Sequence, residues 1–249
     1  FVCGDDLTLN GETRDRANLE LSGRQNELFS ALKKTGKPIV TVLINGKPLC
    51  IEKVAKNSNA VIEMFNGGGL GGLATAELIA GKFCPSGKLP ISFPRASGQL
   101  PCYYNHLSGW HGGKYIDVDE GPLYSFGYGL SFTSFEYSDM KLSKGIAAAK
   151  DTIDVSVTVT NSGSYDGMET VQLYYRDEIS SVMQPVIQLC GFEKVEIKAG
   201  KSKRVTIPLK ISELAIVHPD LKKYTESGDF TITIGGSIEN ALSATLSVI

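Results

Sequence analysis

Nothing in the 249 residues supplies a strong charge of either sign: 25 Lys and Arg stand against 27 Asp and Glu, a net charge of −2. That excludes the electrostatic footprint expected for a nucleic-acid partner or an anionic membrane surface. No apolar run approaches the length of a membrane span. The five cysteines, Cys3, Cys50, Cys84, Cys102 and Cys190, are scattered, odd in number and without any C-x-x-C spacing. Neither a zinc site nor a disulfide framework is therefore expected, and the cysteines read as small buried residues of a reducing compartment. A cytoplasmic location is the first expectation. A secreted or periplasmic one is the alternative, because Phe1 to Gly4 reads as the tail of a buried strand and not as a start or signal peptide, so the chain is expected to begin inside a domain. Histidine is also scarce, and His106 and His111 lack a third ligand nearby, so no metal is expected.

What remains is the composition of an ordinary globular protein, 42% hydrophobic and 21% charged, with room for one large or two modest domains. Ser22 and Gln25 stand in the S-x-x-Q spacing of a capping box, and Leu28, Phe29 and Leu32 recur on one helical face, predicting a helix that opens near Ser22. The connection from the strand Phe1 to Cys3 then runs for roughly fifteen residues, long for such a loop, and long ordered loops at strand ends usually carry function. Inside it lies Glu12-Thr13-Arg14-Asp15-Arg16. Taken alone, these read first as surface charges pairing with one another.

Further along, Lys33, Lys34, Gly36 and Pro38 end that helix. Ile39 to Ile44 reads as a central parallel strand covered on both faces, Ile51 to Ala55 as a short helix and Ala60 to Phe65 as another strand, which together indicate an α/β layer. Gly67, Gly69 and Gly72 satisfy G-x-G-x-x-G before the helical run Leu73 to Ala80. A dinucleotide site also wants an acid about twenty residues on, yet none stands between Glu77 and Asp117. Close backbone approach at a strand end explains the glycines better, and no cofactor is expected. Pro90 and Pro94 confine Ile91 to Phe93 to an edge strand. From Arg95 to Leu123 the chain is rich in Tyr and His and carries Trp110. Such side chains can stack on sugar rings or fasten a loop to a neighbouring domain.

Beyond Thr133 the periodicity changes to two. Val155, Val157 and Val159 alternate with polar residues, and so do the apolar positions of 171–175, 205–209, 230–234 and 242–248. With strands at Phe135 to Leu142 and Gln188 to Ile197 this makes about seven, a β-sandwich of fibronectin III type without the Cys-Trp-Cys core of antibody domains. Lys144 to Asp151 reads as a loop.

Three segments carry a resemblance. E-x-x-D-R at Glu12 to Arg16 with the following x-L-x-L-x-G-x-Q, the N-P-S-G-x-L-P-x-x-F-P pattern at 84–94 with Cys84 in the Asn position, and Leu123 to Thr133, LYSFGYGLSFT, together resemble glycoside hydrolase family 3 over essentially the whole chain. The resemblance implies an α/β sandwich domain over 1–133, N-terminally incomplete, and a fibronectin-III-like domain over 134–249. It implies the C-terminal part of a retaining, exo-acting β-glycosidase, β-glucosidase first, with β-xylosidase or a related specificity as the alternative. Glu12 matches the family's catalytic acid/base, and the nucleophile would lie on an N-terminal (β/α)8 barrel, so this chain alone is expected to be inactive. Leu70 departs from the family, which commonly carries an acid or amide there. Trp110 and His111 are the candidate substrate contacts, and a β-linked oligosaccharide or glycoside is the expected substrate. A homo-oligomer is compatible with the sequence. Two other classes stay open: a non-catalytic carbohydrate-binding or structural module, indifferent to Glu12, and a nucleotide-binding protein using Gly67 to Gly72.

Overall fold

The computed structural model describes residues 1–109 and 115–249, whose contacts gather into two compact units. The first draws on Phe1–Phe83, Ile91–Cys102 and 115–125, the second on Cys84–Pro90, 103–109 and Phe126–Ile249. The architecture is α/β followed by all-β.

In the first unit β1 (Val2–Gly4), β2 (Val40–Ile44) and β3 (Ala60–Glu63) form a parallel sheet in that order, joined by α1 (Gln25–Lys33) and α2 (Glu52–Asn57), with α3 (Gly71–Ile79) after β3. Cys3 pairs with Leu43, and Leu43 with Glu63. The apolar run of β2 is buried in the middle of the sheet, as a strand covered on both faces requires. Phe29, Leu43, Leu49, Ile51 and Val54 form the core beside it. Phe29 and Leu32 turn inward as their spacing predicts, whereas Leu28 is exposed.

Helix α1 opens two residues later than the capping-box spacing implies, with Arg24 and not Ser22 at its N-cap. The Gln25 amide is engaged elsewhere: its Oε1 accepts from the Gly4 N–H at 2.8 Å, and its Nε2 donates to the Gly4 carbonyl at 2.9 Å and to the Ser22 carbonyl at 3.0 Å. One side chain thereby satisfies both backbone groups of the last residue of β1. Gly4 lies at φ +138°, and a Cβ there would sit 1.9 Å from the Ile44 carbonyl oxygen.

The expected edge strand over Ile91 to Phe93 is reduced to a single bridge between Phe93 and Tyr124, in which the Phe93 N–H donates to the Tyr124 carbonyl and the Leu123 N–H to the Phe93 carbonyl, each at 2.8 Å. The next donor facing that partner, the Arg95 N–H, goes instead to Gln99 Oε1 at 2.6 Å, so the ladder is not extended there.

The second unit contains β4 (Phe135–Leu142), β5 (Ile146–Ala147), β6 (Thr152–Asn161), β7 (Gly167–Asp177), β8 (Gln188–Ile197), β9 (Ser202–Lys210), β10 (Ile216–Val217), β11 (Lys223–Tyr224), β12 (Gly228–Gly235) and β13 (Ala241–Val248). The sheets β4-β6-β9 and β5-β13-β12-β7-β8 make a sandwich. Val155, Val157 and Val159 from one, and Leu173, Ile232 and Ile234 from the other, are fully buried in its core, which is the inward half of the period-2 pattern. The stretch 144–151, expected as a loop, contributes β5, which runs parallel to β13. At one margin the LYSFGYGLSFT segment folds onto the SGKLP turn, with mutual hydrogen bonds of 2.8 Å between the backbones of Leu89, Gly127 and Tyr128. Gly129 must be glycine there, since a Cβ would lie 2.2 Å from the Gly87 carbonyl oxygen.

Candidate functional site

In an open parallel sheet the carboxyl ends of the strands form the natural binding edge. The first unit places a polar side chain at each: Asp5 directly after β1, Asn45 directly after β2 and Glu63 as the last residue of β3. The long loop that follows Asp5 carries Glu12.

Glu12 occupies the second position of a tight turn closed by a 3.2 Å hydrogen bond from the Arg14 N–H to the Gly11 carbonyl. The next residue, Thr13, lies at φ +63°. A β-branched residue in the left-handed region is a strained outlier, and such outliers persist where the surroundings over-determine the backbone. Glu12 itself is exposed.

Several contacts over-determine this loop. The Asp6 carboxylate accepts from the Thr8 hydroxyl at 2.5 Å and from the Thr8 N–H at 2.7 Å, which hold that carboxyl below its ordinary range, and the Asn10 amide donates to the Asp6 carbonyl at 3.0 Å. Lys47 Nζ donates to the Leu9 carbonyl at 2.7 Å and to the Arg14 carbonyl at 3.3 Å. Arg16 Nη1 meets Asp5 Oδ1 at 2.6 Å, and Nη2 donates to the Glu20 carbonyl at 2.6 Å. The far end of the loop is fastened by Leu19, whose N–H donates to Ser97 Oγ and whose carbonyl accepts from the Cys50 N–H, both at 2.9 Å.

Behind the loop, Asn45 is fully buried, and its amide donates to the Lys47 carbonyl at 2.8 Å and to Glu63 Oε2 at 3.3 Å. Burial pushes the Glu63 carboxyl up to about 7, against the hydrogen bonds it accepts from the Phe65 N–H at 2.7 Å and from Asn45. Asp5, Asn45, Lys47 and Glu63 were not singled out by sequence reasoning. The signal for Asp5, Asn45 and Lys47 was positional, since they stand at the exits of predicted strands, whereas Glu63 fell inside the strand expected over Ala60 to Phe65, which ends two residues earlier.

The glycine-rich loop follows β3, and the close-approach reading holds for Gly67 alone of its three motif glycines: a Cβ on Gly67 would meet Met64 Cγ and Gly71 Cα at 3.0 Å each, whereas Gly69 and Gly72 have open space around them. Of the aromatics, Tyr104 stacks on Phe126 at 4.2 Å within the second unit and accepts from the Leu189 N–H at 3.2 Å, so it fastens its loop to the sandwich. Tyr103 is exposed, and the Tyr115 hydroxyl donates to the Gly98 carbonyl. Trp110 and His111 lie outside the described residues. A cleft of about 620 Å³ in the second unit, lined in part by Ile179, Ser181, Tyr224 and Glu226, does not include Glu12. Among the described residues no cluster of three or more His, Cys, Asp or Glu side chains is placed to hold a metal, and no helix is long and apolar enough to cross a membrane.

Residues 1–132 match the glycosyl hydrolase family 3 C-terminal domain, and residues 169–238 match the fibronectin type III-like domain. A protein described as a beta-xylosidase from Formosa agariphila is 44% identical over 240 residues, 95% of this chain and 33% of that protein. A periplasmic beta-glucosidase from Salmonella typhimurium is 40% identical over 244 residues, 94% of this chain and 32% of its own. The crystal structure of a beta-glucosidase from Listeria innocua in complex with glucose superimposes with a TM-score of 0.93 at 33% identity, over 99% of this chain and 36% of that one. The chain thus spans about a third of the length of the curated relatives it matches.

Proposed function

The chain belongs to glycoside hydrolase family 3, and from that premise we propose that it is the C-terminal part of a retaining, exo-acting β-glycosidase to which it supplies Glu12 as general acid/base. In retaining hydrolysis one carboxylate attacks the anomeric carbon while a second protonates the leaving oxygen and later activates water, the two standing about 5 to 5.5 Å apart. The observation that carries the reading is the turn at Glu12: an exposed carboxylate next to a strained Thr13, on a loop braced from the carboxyl ends of β1 and β2. A surface loop without a task has no need of such fixing. The nucleophile belongs to an N-terminal barrel domain, so the 249 residues alone do not turn over aryl β-glucosides.

A β-linked glucoside is the first substrate class. A β-xyloside is the second, favoured by the 44% identity to the Formosa protein described as a beta-xylosidase. Comparing kcat/KM on matched aryl β-glucosides and β-xylosides separates them.

The decisive experiment is Glu12→Ala in the full-length protein. Activity on poor leaving groups is expected to fall by about 10²- to 10⁴-fold, the range of general acid catalysis. Activated aryl glycosides still form the glycosyl-enzyme, and azide accelerates its breakdown. Equal losses on good and poor leaving groups, without azide rescue, would make Glu12 structural.

A further inference from the structure

Two residues of the turn after β2, Asn45-Gly46-Lys47, meet the loop that carries Glu12. Lys47 reaches across the neck of that loop and joins its two sides, Leu9 at 2.7 Å and Arg14 at 3.3 Å, three residues before Glu12 and two after it. Its own backbone is fixed from below by the buried Asn45 amide, 2.8 Å from the Lys47 carbonyl. Gly46 leaves the space that Asn10 of the same loop fills: a Cβ on Gly46 would stand 2.9 Å from Asn10 Oδ1. An ammonium with three donors suits two carbonyls facing each other across a gap, and no carboxylate among the described residues forms an ion pair with it.

We infer that Lys47 is a positioning residue for the general acid: its ammonium closes the neck of the Glu12 loop and sets where the carboxyl stands, with Asn45 and Gly46 preparing its grip. This rests on the acid/base reading of Glu12. Proton transfer in the transition state is sensitive to placement, a displacement of about 1 Å costing up to ~10²-fold. The loss falls chiefly on substrates whose leaving group needs the proton.

The test is made in the full-length protein with Lys47→Met, Lys47→Arg and Gly46→Ala, each assayed on a series of aryl β-glycosides of graded leaving-group pKa, with Glu12→Ala alongside. Lys47→Met is expected to lower kcat/KM by roughly 10- to 100-fold on poor leaving groups and by less than about 3-fold on activated ones. Lys47→Arg, which keeps a cation and several donors, is expected to recover most of the loss. Gly46→Ala, which displaces the Asn10 amide from the contact that braces the same loop at the Asp6 carbonyl, is expected to steepen the dependence on leaving group as well, and it serves if Lys47→Met does not fold. If Glu12→Ala steepens the dependence while Lys47→Met and Gly46→Ala leave it unchanged, the positioning role is overturned and the acid/base reading stands. If Glu12→Ala itself leaves the dependence unchanged, both fall.

Discussion

Arg16 pairs with Asp5 across eleven residues, 2.6 Å from Nη1 to Oδ1, and not with Asp15, its neighbour in the E-x-x-D-R segment. The Asp5 side chain is fully buried and that of Arg16 nearly so, so the pair ties the descending limb of the Glu12 loop to the end of β1.

Removing one partner of such a pair leaves an uncompensated buried charge. Arg16→Met is expected to destabilise the first unit by about 3 kcal/mol. In a urea titration the double variant Asp5→Asn with Arg16→Met should recover part of that loss. Full additivity of the two single changes would show that the pair is not coupled.

The strain at Thr13 makes an opposite prediction. Thr13→Gly relieves a backbone penalty of order 1–3 kcal/mol and forfeits about 0.5–1 kcal/mol of chain entropy, so a small rise in thermal midpoint is expected. The freed turn holds Glu12 less firmly, and turnover of poor leaving groups in the full-length protein should fall. A lower midpoint would show that the turn carries no strain.

Glu63 gives the pH dependence. Its folded-state value of about 7 lies above the ordinary 4.5, so folding favours the protonated carboxyl. That contribution to stability is present below about pH 4.5 and is lost as the pH rises through about 7. Glu63→Gln, which cannot ionise, should therefore gain stability relative to the parent between pH 5 and pH 8. Thermal midpoints of both proteins at the two pH values test this, and a constant difference would refute it.

In the second unit, Gly129→Ala places a Cβ 2.2 Å from a backbone oxygen that cannot move aside cheaply, whereas Gly98→Ala in the first unit adds one into open space. The former is expected to cost roughly 3 kcal/mol or more and the latter less than about 1 kcal/mol, measured by denaturant midpoint. Similar costs at the two sites would mean that the SGKLP and LYSFGYGLSFT segments are not packed as described.

Several features were legible in the residues themselves. The alternation of Val155, Val157 and Val159, and of the matching runs in the other strands, specifies which face of each strand is buried, because a strand's side chains point alternately to its two faces. The apolar run before Asn45, interrupted only by Thr41, announces a strand covered on both faces. Glu12 stood out as a candidate because its motif is contiguous and its loop is long for a connection. The tertiary structure decided which groups hold that loop. Gln25 caps no helix because Gly4, twenty-one residues away, presents it with both a donor and an acceptor. Arg16 chooses Asp5 over Asp15, and Lys47 reaches carbonyls thirty-eight and thirty-three residues distant. Periodicity and spacing report local backbone geometry and burial. The partners of a polar side chain are set by the parallel register that brings the ends of β1, β2 and β3 together, and that register exists only once the core has closed.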